Sequence, residues 1–164
     1  MTRVLLVLLC LALLVLALLG MRLGWRNRMR RQAGLPALPT APADLGAPIL
    51  PSLTGVYVGT TFASSWQDRV LHEGLGLRAT ATAACHPAGV VIDREGAAPI
   101  FIPTEAIKHA ELRPALAGKV VGQGGLLVIS WRLGDALVDS ALRADDKTAY
   151  PAWVRQINAE VSAG

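Results

Sequence analysis

The sequence predicts a mainly β domain behind an N-terminal helix long enough to cross a membrane. Three observations carry this: one uninterrupted apolar run at the start, short β-like segments spaced by Gly, Pro and charged turns, and a late switch to helical periodicity. The chain has 164 residues, room for one domain of ordinary size, and its 52% hydrophobic content is high because a single segment concentrates the excess.

From Val4 to Met21 no side chain is charged or strongly polar, and the run is mostly Leu and Val. At a rise of about 1.5 Å per residue, about 20 such residues match a hydrocarbon core about 30 Å thick. A secretory signal would carry a shorter apolar core with small residues at a cleavage site directly after it, whereas here a cluster of arginines follows. Ala41-Pro42-Ala43 lies far downstream of the run. Cys10 is no lipoprotein cysteine, because Leu9 precedes it where a small residue belongs and apolar sequence continues after it. A buried core helix is excluded by purity, since a domain of this size cannot surround such a helix on all sides.

Charge sets the expected orientation. Arg22, Arg26, Arg28, Arg30 and Arg31 follow the run, against Arg3 and the α-amino group before it. The positive-inside bias therefore places the N-terminus outside and the soluble domain in the cytoplasm of a single-pass plasma-membrane protein. Trp25 falls among these arginines at the depth of an interfacial aromatic, so Arg22, Trp25, Arg26, Arg28, Arg30 and Arg31 form a membrane-interface collar. Residues 1–31 hold six arginines and no acid, which leaves ten basic against twelve acidic residues in the remainder, a net of −2. The high isoelectric point thus belongs to the collar, and the domain has no composition suited to nucleic acid.

Pro36, Pro39, Pro42, Pro48 and Pro51 punctuate the next stretch, a density that forbids a continuous helix and favours extended chain. The expected organisation is an anchor over 1–24, collar and proline-rich linker over 25–52, and a domain over 53–164. Read as a free tether, about twenty residues at roughly 3.1 Å each would let the domain range about 60 Å from the membrane.

Within the domain, strands are expected near 55–62, 77–85, 89–93, 100–103, 107–112, 119–121, 126–133 and 136–142, an antiparallel sandwich or barrel of about seven strands. Along Ala136-Leu137-Val138-Asp139-Ser140-Ala141-Leu142-Arg143 the polar positions intrude on one side, as in a strand with one buried face. Gly122-Gln123-Gly124-Gly125 reads as a hairpin loop; it lacks the lysine and the following helix of a phosphate loop. Pro151 opens a helix of about 11 residues, with Trp153, Ile157 and Val161 at i, i+4 and i+8 and Arg155, Gln156, Asn158 and Glu160 opposite. On this reading Trp153 closes the sheet and Asn158, on the polar face, is dispensable. Short antiparallel strands followed by one terminal helix is the layout of the pleckstrin-homology-like (PH-like) barrel.

Several stretches add a resemblance. Gly55-Val56-Tyr57-Val58-Gly59-Thr60-Thr61, Trp66-Gln67-Asp68-Arg69-Val70, His72-Glu73-Gly74-Leu75-Gly76-Leu77-Arg78-Ala79, Gly89-Val90-Val91-Ile92 and Leu126-Leu127-Val128-Ile129-Ser130-Trp131 resemble a family of small actinobacterial membrane proteins with a PH-like domain. Ser64-Ser65 departs from the Gly-Asp type pair expected before the tryptophan. The resemblance implies a membrane or export protein, of a kind sometimes described as a transporter and encoded beside pyrimidine-biosynthesis genes, and it carries over no catalytic residue. A single helix forms no transport pathway alone.

No residue pattern nominates chemistry. Cys85-His86 adjoins a proline, His72 and His109 are isolated in sequence, and two cysteines without paired spacing give no zinc motif. Cys85 in a cytoplasmic setting is a reduced thiol. Ser64 and Ser65 lack elbow glycines. Trp66 with Asp68 and Arg69 reads as a tryptophan buried at a barrel corner beside a local ion pair. The expectation is therefore a non-enzymatic module without metal or cofactor, held at the membrane and bound to an unidentified protein partner. The alternative is an accessory subunit of a transport or export complex, whose spanning helix is the partner surface.

Overall fold

A computed structural model describes residues 2–120 and 125–163 of the chain. It divides into two units, Met1–Gly34 and Leu35–Gly164. The first is one α-helix, α1 (Thr2–Ala33), whose Leu6–Gly24 window has a mean hydropathy of 2.8 and no buried residue. The helix runs on past the expected end of the anchor near residue 24, so the backbone of the collar is helical. The stretch from Leu23 to Ala33 contains neither proline nor a glycine pair to stop it, and its arginines are good helix formers.

The second unit contains β1 (Leu53–Phe62), β2 (Ala79–His86), β3 (Gly89–Arg94), β4 (Ala97–Pro103), β5 (Ile107–Arg113), the short β6 (Ala115–Leu116) and β7 (Lys119–Val120), β8 (Leu126–Leu133), β9 (Ala136–Ala144) and α2 (Tyr150–Ala163). Seven strands form one antiparallel sheet in the order β4-β3-β2-β1-β9-β8-β5. Its two edge strands, β4 and β5, are joined by a three-residue turn, Thr104–Ala106, so the sheet must curl until those edges approach. The expected hairpin loop at 122–125 lies outside the described residues except for Gly125.

One face of each strand of this seven-stranded sheet supplies the core: Tyr57, Ala83, Ile92, Ile100, Ile107, Trp131 and Val138 are among its members. A register shift between Tyr57 and Gly59 on β1 inserts Val58 as an extra residue, and this turns both Tyr57 and Thr60 inward. A smaller apolar cluster lies on the other face, where Leu116 and Ala117 cover Val58, Leu126, Val128 and Ala141. Two-sided burial explains why β8 reads as a nearly continuous apolar run.

The helix α2 lays Trp153 and Ile157 on the core as its periodicity predicts, at 0% and 2% exposure. Asn158 departs from the expectation. Its Oδ1 accepts the Ala110 N–H at 2.7 Å and its Nδ2 donates to the Ala110 carbonyl at 2.9 Å, so one side-chain amide replaces the missing neighbour of edge strand β5.

The proline-rich segment also departs from its reading as a free tether. It is irregular, as the prolines require, yet it is strapped across the domain. Leu35, Leu38 and Leu50 pack on the core. The Pro36 carbonyl meets His72 Nε2 at 3.0 Å, Leu38 N–H donates to Glu73 Oε2, His86 Nδ1 contacts the Gly46 carbonyl, Ile49 N–H donates to the Cys85 carbonyl, and Trp153 Nε1 donates to the Pro51 carbonyl. The domain therefore begins at Leu35 rather than Leu53, with only Gly34 between it and α1. Leucines spaced among prolines gain more from covering the core than from staying in water, and prolines lose little entropy on docking.

Candidate functional site

The most heavily built feature is the turn between β1 and β2. Three successive carbonyls there are held by side chains from the sheet and its flanking loop. Arg94 Nη1 donates to Gly74 O at 2.6 Å, the Tyr57 hydroxyl to Leu75 O at 2.7 Å, and Arg69 Nη1 to Gly76 O at 2.8 Å. The Thr60 N–H adds a second bond to Leu75 O. Arg69 Nη2 also reaches the Ala117 carbonyl, which ties the turn to the β6–β7 hairpin. Arg94, only 6% exposed, donates from Nε and Nη2 to the Ala98 carbonyl and lies 5.2 Å over the Tyr57 ring.

Behind this clamp runs a buried polar chain. The Tyr57 and Thr60 hydroxyls are 2.5 Å apart, Thr60 Oγ1 meets Ser140 Oγ at 2.6 Å, and Trp131 Nε1 donates to Ser140. Burial pushes the Tyr57 phenol up to about 12 against its hydrogen bond from Thr60 and the charge of Arg94, and burial lowers Arg94 from the usual guanidinium range. The local sequence allows the turn: Gly74 has φ of +73°, and a Cβ on Gly76 would come within 2.9 Å of the Val70 carbonyl oxygen.

The folded protein keeps the Tyr57 proton to about pH 12, whereas the phenol ordinarily releases it at 10.0. Its contribution is therefore complete below pH 10 and lost as pH rises from 10 toward 12, up to about 3 kcal/mol. Thermal melts across that range should show an alkaline fall that is smaller in Tyr57→Phe; equal falls in both proteins would refute the assignment.

A second polar group crosses the opposite face, where register aligns Thr61, Asp139, Ser130 and His109 on adjacent strands. Ser130 Oγ donates to Asp139 Oδ1 at 2.6 Å, and His109 Nε2 stands 3.4 Å from that hydroxyl. Serine sits between the acid and the imidazole, whereas a serine nucleophile needs histidine in the middle to take its proton. Ser130 is also only 1% exposed. Arg113 Nη1 pairs with Asp139 Oδ2 at 2.5 Å, and its Nε bonds Glu111 Oε1 at 2.6 Å. Burial raises the Glu111 carboxyl, but Arg113 outweighs it and holds the group below its usual range. The row is a tie between β5, β8 and β9 in which Arg113 bridges two carboxylates, Asp139 and Glu111.

Trp66 departs from the buried-corner expectation. It is 43% exposed and lines, with Ser64, Ser65 and Arg113, a shallow recess of about 390 Å³. Of the collar, Arg22 is exposed, while the side chains at Trp25, Arg26, Arg28, Arg30 and Arg31 lie outside the described part of the chain. His72, His86 and His109 fall at separate places, and among the described residues no three His, Cys, Asp or Glu side chains gather as metal ligands. Cys85 is buried, which pushes its thiol up to about 11.

A curled seven-stranded antiparallel sheet, sealed by a C-terminal helix, is matched over residues 35–158 by a family model described as bacterial PH domain-like. The chain belongs to that family. The matched span starts at the strap rather than at β1, in agreement with the domain boundary at Leu35. No curated protein matches the chain. Sequence reading of this PH-like domain missed both the carbonyl clamp and the strap. Two signals were available: an arginine, Arg94, at an inward-facing position of a strand, and the Gly74-Leu75-Gly76 pattern that admits a tight turn.

Proposed function

We propose that this is a single-pass membrane protein whose PH-like domain serves, without catalysis of its own, as a protein-interaction module on the cytoplasmic face. The observation that carries the reading is the junction: an exposed 19-residue apolar window on α1 is followed, after nine helical residues and Gly34, by the PH-like domain. The arginine excess after the window supports the cytoplasmic side. The structural use of most polar groups in both clusters supports binding over chemistry, since, the buried Thr61 hydroxyl apart, they are engaged with one another or with backbone carbonyls.

A reporter active only outside the cytoplasm, fused after Gly164, should be silent, and a fluorescent reporter that matures in the cytoplasm should be bright. The protein should also resist alkaline carbonate extraction from membranes. The opposite reporter pattern would sink the inside assignment, and changing Arg22, Arg26, Arg28, Arg30 and Arg31 to Glu should weaken or invert it. Exchanging residues 4–21 for an unrelated apolar span should leave partner binding intact; its loss would shift the reading to an accessory subunit of a transport complex.

A further inference from the structure

We infer that the strap is a ready-made polyproline II ligand, whose ridge of Pro36, Pro39 and Pro42 docks into an aromatic-lined groove on a partner protein. This deepens the protein-interaction reading, on which it rests, by naming the class of partner. The prolines recur at every third position of Pro36-Ala37-Leu38-Pro39-Thr40-Ala41-Pro42. Residues 35–42 belong to no helix or strand and contain no bend, the first bend coming at Ala43. Proline fixes φ at about −65° and pushes the residue before it, here Leu35, Leu38 and Ala41, away from helical backbone. A straight segment so restricted runs as polyproline II, with about three residues per turn and a rise of about 3.1 Å each. It is a rod of triangular cross-section.

One edge of the rod carries Leu35 and Leu38, which pack partly buried against the core. A second carries Pro36, Pro39 and Pro42, and the third Ala37, Thr40 and Ala43; all of these are exposed except Pro39, which is half-buried. The leucine edge fastens the rod to the domain and leaves the other two outward, which is as much of a triangular rod as a groove can touch. The backbone is open as well. His72 and Glu73 hold Pro36 and Leu38 at one end, and His86 holds Gly46 just beyond the other. Between those pins, from Pro39 to Ala43, no described residue makes a hydrogen bond to the strap, so its carbonyls are free to accept from the indole or phenol donors of an aromatic groove. Gly134 makes room for the first proline, since a Cβ there would come within 2.9 Å of the Pro36 ring. A rod already ordered by its own domain loses little entropy when a partner binds it, which is the advantage of polyproline recognition. Over residues 35–46 Asp44 is the sole charged side chain, and it bonds the Gly46 N–H. Recognition therefore falls to rings stacked on prolines rather than to a charged patch.

The test uses the full chain in the membranes of the cells that make it. A photo-crosslinking phenylalanine analogue replaces Ala43 beside the ridge and, in separate proteins, the exposed residues Trp66, Lys108 and Arg155. Position 43 should capture a protein, and the double change Pro39→Ala/Pro42→Ala should cut that adduct about tenfold or more. An unchanged near-UV spectrum checks that this variant is folded. A synthetic peptide of residues 35–44 should suppress the adduct, and the same peptide with its prolines changed to alanine should not. The peptide has no aromatic residue, so a change in aromatic fluorescence when it is mixed with the purified captured protein reports the partner's groove. An adduct at 43 that survives both the proline changes and the peptide, or a captured protein whose fluorescence ignores the peptide, would overturn the ridge. Capture at 66, 108 or 155 with none at 43 would overturn it too, while leaving the interaction module in place. No adduct at any of the four positions would sink the ridge and the module together.

Discussion

Replacing Trp153 by alanine is expected to lower the thermal midpoint of the domain by about 10–20 °C. The indole is fully buried between α2 and the sheet, and its Nε1 donates to the Pro51 carbonyl. Truncating a buried tryptophan costs about 3–5 kcal/mol, a large part of the 5–15 kcal/mol that stabilises an ordinary domain. A 14-residue helix is marginal in water by itself, so α2 persists by this packing. Asn158→Ala on the same helix should be milder but plainly measurable, about 1–2 kcal/mol, because it strips the edge of β5 of a donor and an acceptor together. Melts of the full chain in detergent micelles, followed by near-UV circular dichroism, measure both. Small and equal losses would mean that Trp153 is not the closure and would make the stripe a docking surface.

Removing the strap is expected to destabilise the domain by about 3–5 kcal/mol. Leu35, Leu38 and Leu50 are each partly buried against the core, and full burial of a leucine is worth about 1.5–3 kcal/mol. The Trp153 indole N–H and the Cys85 carbonyl would also lose their partners at Pro51 and Ile49. A fragment of residues 35–164 should therefore melt cooperatively and well above a fragment of residues 53–164, and the shorter one should expose apolar surface to a hydrophobic dye. Identical midpoints for the two fragments would show that the strap contributes nothing and restore the tether reading.

Much of the fold was legible because its signals are local. The β8 and β9 runs, separated by Gly134-Asp135, were found within two residues of their ends, and the Trp153, Ile157 and Val161 spacing located α2. The strap was not legible, because prolines prescribe an extended backbone and say nothing about what that backbone lies against. Asn158 was misread for a related reason: periodicity assigns it to a polar face, and only the end of β5 beside that face converts it into a cross-strand partner.

The candidate site divides along the same line. Composition alone placed the basic charge at the end of α1 and left the domain mildly acidic, since those properties are sums over residues that need no partner. Whether Arg94 and Arg69 are surface charges or the clamp of a turn depended on strands far apart in sequence meeting at Gly74, Leu75 and Gly76. The sequence by itself determined an apolar helix, a curled antiparallel sheet and a closing helix, because hydrophobic period and turn residues act over a few positions. Only the tertiary structure decided where the domain starts, which polar groups are consumed in its interior and which leucines stay exposed on its surface, because each depends on long-range contacts that no local pattern encodes.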